Sequence, residues 1–166
     1  MYSDKTIQSV SVVGLGKLGA CMAACFARAG VKTVGIDTQA ASVSAINKGL
    51  PPVQETNLDE LIQKHQSNLS ATLDYSEAIE KSDATFVIVP TPSDADGKFS
   101  LKYAKEAFTE IGRCLVNKPG YHLIVMTSTV LPGGTDFGLI PLLEHYSKKK
   151  CGIDFGVCYS PEFIAL

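Results

Sequence analysis

Two patterns of apolar residues alternate along the chain: short β-rich runs, and longer stretches in which apolar residues recur every three or four positions. The short runs predict strands over residues 7–13, 34–36, 71–73, 85–89, 121–126 and 154–159. Helices are predicted between them, ending near residues 29, 47, 80, 115 and 150, with a further helix starting at residue 58. Such alternation is typical of an α/β fold in which helices cover both faces of a parallel sheet.

Polar residues predict where several of these helices begin and end. Asn57, followed by Glu60 three positions later, predicts a capping box at the start of one helix. Ser100 predicts the cap of the next long helix, and Thr135 predicts the start of the last one. The lysines at 148–150 suit the negative end of that last helix, where they are expected to be solvated.

The composition is that of a globular chain with little net charge. Its 166 residues predict a single domain over residues 1–166, and a hydrophobic fraction of 45% supplies a core. Fifteen basic and seventeen acidic residues give a net charge of −2, which disfavours nucleic acid and membrane surfaces as partners. No apolar run approaches the ~18 residues of a membrane span, and the N-terminus resembles no signal peptide, so a cytoplasmic location is expected.

The five cysteines are odd in number and include no CxxC pair, which argues against a disulfide framework and against a zinc site. Cys21 and Cys25 lie one helical turn apart and are predicted to be small core residues. No metal is expected.

A GxGxxG motif joins the first predicted strand to the first predicted helix. It comprises Gly14, Leu15, Gly16, Lys17, Leu18 and Gly19. The glycines allow a tight turn, a close approach of the backbone to a pyrophosphate, and close packing of the helix on the strand. Asp37 closes the next strand, where a carboxylate accepts from the ribose 2′-hydroxyl and repels a 2′-phosphate. Because Thr38 and Gln39 bring no cation, the sequence predicts NAD rather than NADP.

Further polar segments follow the fourth, fifth and sixth strands, at the edge where open α/β sheets bind ligands. They are Val89, Pro90, Thr91 and Pro92, then Ser128, Thr129 and Val130, and finally Glu162. The hydroxyls of Thr91, Ser128 and Thr129 are candidates for contact with the nicotinamide half of the cofactor. The alternative is that all of these are ordinary loop residues, with Glu162 a solvated carboxylate.

Taken together, these segments resemble a known family. The resemblance is carried by residues 14–19, Asp37, the segment at Glu55, Val-Pro-Thr-Pro-Ser from Val89, the turn at Asp96 and Gly97, Ser-Thr-Val-Leu-Pro-Gly from Ser128, and Ser-Pro-Glu-Phe from Ser160. In this order and spacing they resemble the N-terminal domain of the UDP-glucose/GDP-mannose dehydrogenase family. The resemblance implies a doubly wound Rossmann sheet of order 3-2-1-4-5-6 and an NAD-dependent enzyme that forms a homodimer or higher oligomer.

The resemblance also implies a reaction and roles for individual residues. Such an enzyme oxidises the C6 primary alcohol of a UDP- or GDP-sugar to a carboxylate with two NAD, through a thioester on a cysteine. Thr129 matches a threonine that positions a water molecule, and Glu162 matches the glutamate that holds or activates it. Phe163 matches a residue at the edge of the sugar-nucleotide site. The glycine motif, Asp37 and residues 89–92 and 128–130 match NAD-contacting positions.

Several positions depart from the family pattern. Ser42 replaces a common basic residue, Thr56 and Asn57 replace Pro-Gly, and Leu166 stands where some members have glutamate. None of the five cysteines matches the nucleophile, so the chain is expected to be about the first third of such an enzyme, able to bind NAD without turnover. Two alternatives are a β-hydroxyacid or 6-phosphogluconate dehydrogenase N-domain and a non-catalytic NAD-sensing module.

Overall fold

The computed structural model describes residues 6–93 and 99–162. Within these residues six strands form one sheet, in the order β3-β2-β1-β4-β5-β6, and every neighbouring pair is parallel. The strands are β1 (Ser9–Val13), β2 (Lys32–Ile36), β3 (Leu69–Thr72), β4 (Ala84–Val87), β5 (His122–Met126) and β6 (Phe155–Tyr159). The predicted fold class, a doubly wound α/β sheet of this order, is confirmed.

Helices cover both faces of the sheet. They are α1 (Lys17–Arg28), α2 (Ala40–Asn47), α3 (Leu58–His65), α4 (Tyr75–Glu80), α5 (Lys102–Leu115) and α6 (Ile140–Ser147). Apolar residues of α1, α2 and α3 form one core cluster with β1 and β3. Those of α4, α5 and α6 form a second cluster with β4, β5 and β6. Because β1 pairs with both β2 and β4, the order in which strands are added to the sheet reverses there, and a crevice opens at the carboxyl ends of these strands.

Small side chains let α1 lie close to the sheet. Ala20, Ala23, Ala24 and Ala27 recur with helical spacing and are all fully buried. In α5 the buried positions include Ala104, Phe108, Ile111 and Leu115, which leaves the opposite face of the helix polar. This close packing carries the amino end of α1 to the crevice.

Two helix ends differ from the sequence-based predictions. Asn57 has φ 60° and ψ 10°, a left-handed conformation, and its side chain makes no capping hydrogen bond, so the predicted capping box with Glu60 is wrong. The last helix ends at Ser147 because Lys148 is left-handed, with φ 59°. Lys149 and Lys150 therefore lie beyond that helix, and the ammonium of Lys149 donates to the carbonyl of Lys118 instead.

Two helix starts also differ. Ser100 accepts a hydrogen bond from the amide of Lys102 at 3.3 Å, but the helix begins after Leu101. The segment that Thr135 was predicted to open is a π-helical turn, Gly134–Leu139, and α6 follows it. Among the cysteines, Cys25 is exposed, so its predicted place in the core is wrong, and Cys21 is only partly buried.

A chain of buried polar side chains joins the strands near their amino ends. Ser11 and Thr85 are direct partners on β1 and β4, and their hydroxyl oxygens lie 2.7 Å apart. The Thr85 hydroxyl lies 2.7 Å from Nε2 of His122, and the Ser82 hydroxyl lies 3.1 Å from that of Ser11. Nδ1 of His122 is buried without a hydrogen-bond partner among the described residues. These contacts hold the histidine within the core, far from bulk water.

Candidate functional site

A groove of about 910 Å³ opens at the carboxyl ends of β1, β2 and β4. One wall is the loop between β1 and α1, another is the end of β2, and a third is the polar face of α5. Among the predicted site residues, those that line the groove are Gly14, Gly16, Lys17, Leu18, Gly19, Asp37, Val89 and Pro90. The fold therefore brings together three segments that lie far apart in the sequence.

The three glycines of the loop meet different surroundings. Gly14 has φ 94°, and a Cβ there would overlap the carbonyl of Ile88. A Cβ at Gly19 would overlap the carbonyl oxygen of Gly14, so only glycine lets the helix start so close to the loop. A Cβ at Gly16, in contrast, would meet no atom within 4 Å. Gly14 and Gly19 shape the loop, whereas the backbone at Gly16 faces open space.

Backbone amides hold the carboxylate of Asp37 in place. Oδ2 accepts a hydrogen bond from the amide of Leu15 at 2.7 Å, and Oδ1 accepts one from the amide of Gln39 at 2.8 Å. Leu15 is 1% exposed, its side chain packs where Gly35 lacks a Cβ, and it is the one residue of the predicted glycine motif that does not line the groove. The end of β2 is thereby tied to the glycine loop, and Asp37 keeps one orientation at the groove.

The amino end of α1 is electropositive. Gly16 caps the helix without a side-chain hydrogen bond, and no acidic residue lies in the first turn. The free amides and the helix dipole favour an anion at such an end. Lys17, the first residue of the helix, adds an ammonium that lies 3.5 Å from Oε1 of Glu55.

The remaining predicted residues cluster at the ends of β4, β5 and β6, outside the lining of this groove. The Ser128 hydroxyl donates to the carbonyl of Val89 at 2.7 Å and so joins the loops after β4 and β5. Pro92, Thr129 and Glu162 are exposed, Thr91 and Ser128 are partly buried, and Val130 is buried. Phe163 and Leu166 lie outside the described residues, as do Asp96 and Gly97.

Tyr159, which sequence reasoning did not select, connects two of these loops. Its phenol oxygen accepts from the amide of Val130 at 3.1 Å and lies 3.3 Å from the carbonyl of the same residue. Tyr159 ends β6, three positions before Glu162, and Val130 directly follows Thr129. The phenol therefore holds the loop of Thr129 against the strand that leads to Glu162.

Replacing Tyr159 by phenylalanine is expected to lower the free energy of unfolding by about 1 kcal/mol, because the backbone groups of Val130 lose their partner. Urea denaturation followed by circular dichroism measures the change. Tyr103→Phe is the matched control, since both tyrosines are 41% exposed and the Tyr103 hydroxyl makes no hydrogen bond within the described part of the chain. An equal loss in the two variants would contradict the role of the Tyr159 phenol.

The groove also contains residues that the sequence analysis missed. They are Tyr75 from α4 and Tyr103, Glu106, Glu110 and Arg113 from α5. The four α5 residues are spaced by three or four positions, so they mark one polar helix face, a signal that was available in the sequence. Burial, together with the carboxylates of Glu110 and Asp37, raises the pKa of Tyr75 to about 12. Its phenol therefore ionises even less readily than that of a free tyrosine, and Tyr75 lines the groove as a neutral residue.

Two of the thiols ionise less readily than the thiol of a free cysteine. Burial raises the pKa of Cys21, and burial with the carboxylates of Glu110 and Asp74 raises that of Cys114 to about 11. Activation of a thiol requires the opposite shift. Within residues 6–93 and 99–162, no three His, Cys, Asp or Glu side chains form a group able to hold a metal ion. No helix in this part of the chain is long and apolar enough to cross a bilayer.

Family models, curated proteins and solved structures all match this chain to the same family of dehydrogenases. The UDP-glucose/GDP-mannose dehydrogenase family, NAD binding domain, matches residues 8–165. The GDP-mannose 6-dehydrogenase of Pseudomonas syringae pv. syringae is 42% identical over 157 residues, which cover 93% of this chain and 36% of that protein. The chain thus spans about a third of the length of the curated relatives it matches.

Solved structures share the fold closely. A ternary complex of GDP-mannose dehydrogenase from Pseudomonas aeruginosa superposes with a TM-score of 0.91 at 39% identity, over 94% of this chain and 36% of that one. The UDP-glucose dehydrogenase of Pyrobaculum islandicum gives a TM-score of 0.89 at 33% identity, over 99% of this chain and 38% of that one. Both are similar to the chain along almost its whole length.

Proposed function

Because the chain belongs to the UDP-glucose/GDP-mannose dehydrogenase family and forms its NAD-binding domain, we propose that it serves an enzyme that oxidises the C6 primary alcohol of a UDP- or GDP-linked sugar to a carboxylate. The relatives named above are a GDP-mannose 6-dehydrogenase and a UDP-glucose dehydrogenase by their names, which supports a nucleotide sugar as the substrate class. The cofactor is NAD.

The groove fits a dinucleotide. The open space at Gly16 leaves room for phosphates against the backbone, and the uncapped amides of α1 supply donors to them. We assign the pyrophosphate to residues 14–19, and the ribose to Asp37. Val89 and Pro90 line the groove near the glycine loop and would border the cofactor. Bound NAD supplies the hydride acceptor for the oxidation.

The observation that carries this proposal is the placement of Asp37. Its carboxylate stands at the end of β2, tied to the amide of Leu15 inside the glycine loop and facing the groove. An ionised carboxylate here accepts hydrogen bonds from a ribose diol and repels a 2′-phosphate. Thr38 and Gln39, the next lining residues, carry no positive charge that would attract such a phosphate.

Thr91, Pro92, Ser128, Thr129 and Val130 are assigned to the nicotinamide side of the site. What supports this is that the loops after β4 and β5 follow neighbouring strands and are joined by the hydrogen bond from Ser128 to Val89. The hydroxyls of Thr91 and Thr129, which make no hydrogen bond among the described residues, would contact the nicotinamide half of the cofactor. Val130, held by Tyr159, would fix the backbone of the loop.

Glu162 and Thr129 are proposed to act on water. Both residues are exposed. Thr129 follows β5, and Glu162 follows the adjacent strand β6. Thr129 would position a water molecule, and Glu162 would take its proton as the water attacks a thioester and the thiolate leaves. The cysteine that forms the thioester would come from another part of the enzyme, so this chain alone would bind NAD without turnover. Phe163 would border the sugar nucleotide.

Replacing Asp37 by alanine tests the assigned site. The affinity for NAD is expected to fall at least about tenfold, because the ribose loses a charged acceptor and the glycine loop loses its anchor. The preference for NAD over NADP should narrow at the same time. Isothermal titration of the chain with each cofactor measures both effects.

Glu80→Ala provides the control for Asp37→Ala, since Glu80 is an exposed carboxylate at the end of α4 that lines neither this groove nor the pocket beside Lys17. Equal NAD affinity in wild type and Asp37→Ala would exclude the proposed role of Asp37.

A further inference from the structure

Lys17 stands between the cofactor groove and a second pocket. It lines the groove beside the glycines, and it also lines a neighbouring pocket of about 580 Å³. The other walls of that pocket come from the loop between α2 and α3 and from the first turn of α3, namely Pro51, Val53, Gln54, Glu55, Thr56 and Asp59. Through its ion pair with Glu55, Lys17 joins this loop to the glycine motif.

We propose that Glu55 is an internal competitor for the phosphates of NAD, and that it acts through the ammonium of Lys17. This inference rests on the assignment of the pyrophosphate to residues 14–19. The ammonium cannot serve Glu55 and a bound pyrophosphate fully at once, so part of the interaction with Glu55 is lost when NAD binds. The loop after α2 thereby sets how tightly the cofactor is held.

The geometry favours Lys17 as the group that moves. Its side chain is 81% exposed, whereas that of Glu55 is 34% exposed, so the ammonium is free to turn from the pocket to the groove. The backbone of Glu55 is held at the start of α3, where its carbonyl accepts from the amide of Leu58 at 3.2 Å. Asp37 is a weaker rival to the phosphates for the ammonium of Lys17 than Glu55 is, because the amides of Leu15 and Gln39 already donate to its two oxygens.

The expected changes in affinity have opposite signs. Glu55→Gln should bind NAD about two- to fivefold more tightly, the range that an exposed ion pair is worth in an equilibrium constant. Lys17→Gln should bind NAD about three- to tenfold more weakly, because a phosphate loses a charged donor. Adding Glu55→Gln to Lys17→Gln should have no further effect. The gain from Glu55→Gln should also shrink as the salt concentration rises.

Isothermal titration of the chain with NAD, for wild type, both single variants and the double variant, tests the coupling. Glu60→Gln is the matched control, because it removes the same charge from an exposed position of α3 that lines neither pocket. An unchanged affinity in Glu60→Gln alongside a gain in Glu55→Gln that disappears without Lys17 supports the proposal.

Two outcomes would overturn it. One is that Glu55→Gln behaves as Glu60→Gln does. The other is an equal gain from Glu55→Gln with and without Lys17, since Glu55 would then repel the phosphates directly. In either case, weaker binding by Asp37→Ala would leave the proposed cofactor site intact. If Asp37→Ala instead bound NAD as tightly as wild type, the proposed cofactor site would be wrong.

Discussion

Gly19→Ala is expected to lower the free energy of unfolding by about 3 kcal/mol, while Gly16→Ala, three positions earlier, leaves it within about 0.5 kcal/mol of wild type. The added Cβ at Gly19 would overlap the carbonyl oxygen of Gly14, which is backbone and cannot turn aside. Either α1 or the loop must move, and α1 is held by its buried alanines. At Gly16 the same methyl group meets nothing within 4 Å.

The affinity for NAD is a second measurement that distinguishes the roles of Gly16 and Gly19. Gly16→Ala is expected to bind NAD at least about tenfold more weakly although it folds normally, because its methyl group occupies the space through which a pyrophosphate approaches the backbone. Urea denaturation gives the stabilities, and isothermal titration gives the affinities. Wild-type affinity in Gly16→Ala would exclude the loop as the pyrophosphate site. Wild-type stability in Gly19→Ala would contradict the packing of α1 on the loop.

Acidification is expected to destabilise the chain through His122. Burial is the main reason that the pKa of this histidine is lowered to about 3 from an ordinary value of 6.5, and Lys118 and Lys149 act in the same direction. Asp83 and the backbone of Ser82 oppose them. The folded chain therefore keeps His122 neutral, in the hydrogen bond with Thr85, where the unfolded chain would already be protonated.

The sign of the effect follows from proton uptake. Below pH 6.5 unfolding binds a proton at His122, so the contribution of this residue to stability is complete above 6.5 and is lost progressively toward about pH 3. At about 1.4 kcal/mol per pH unit, the free energy of unfolding is expected to fall by roughly 2 kcal/mol between neutral pH and about pH 5. Urea denaturation at a series of pH values measures it.

His122→Gln should have a flatter dependence of stability on pH over this range, whatever its stability at neutral pH, since the titrating group is gone. His145→Gln serves as the control because His145 is exposed at the end of α6. A wild-type slope in His122→Gln would show that other groups account for the acid sensitivity.

The order of elements and the cofactor class could be predicted because their signals are local. A buried strand, three glycines at fixed spacing and a following helix indicate this turn from residues that lie close together in the sequence. Asp37 could be selected in the same way, by its distance along the chain from the glycines. The structure and the comparisons confirm the sheet order, the family and NAD. The roles of the individual site residues, from the glycine motif and Asp37 to Thr129, Glu162 and Phe163, stay predictions.

Backbone conformation accounts for two of the wrong predictions, and the face of α1 that packs on the sheet accounts for a third. The residue types of Asn57 and Glu60 suit a capping box, but capping requires an extended backbone, and Asn57 is left-handed. The three lysines suit a helix end, yet the helix stops at Ser147 because Lys148 turns left-handed. Cys25 is exposed on α1 even though its neighbour Ala24 is fully buried. Residue type alone does not decide these cases.

The sequence by itself determined the doubly wound fold, the glycine turn after β1 and NAD as the cofactor, since spacing along the chain is enough to specify each of them. Only the tertiary structure decided that Asp37 binds the amide of Leu15, that the polar face of α5 closes the groove, and that Lys17 meets Glu55. These contacts join residues that are distant in sequence. They exist because parallel strands bring their carboxyl ends to one edge of the sheet, where loops from separate parts of the chain must meet.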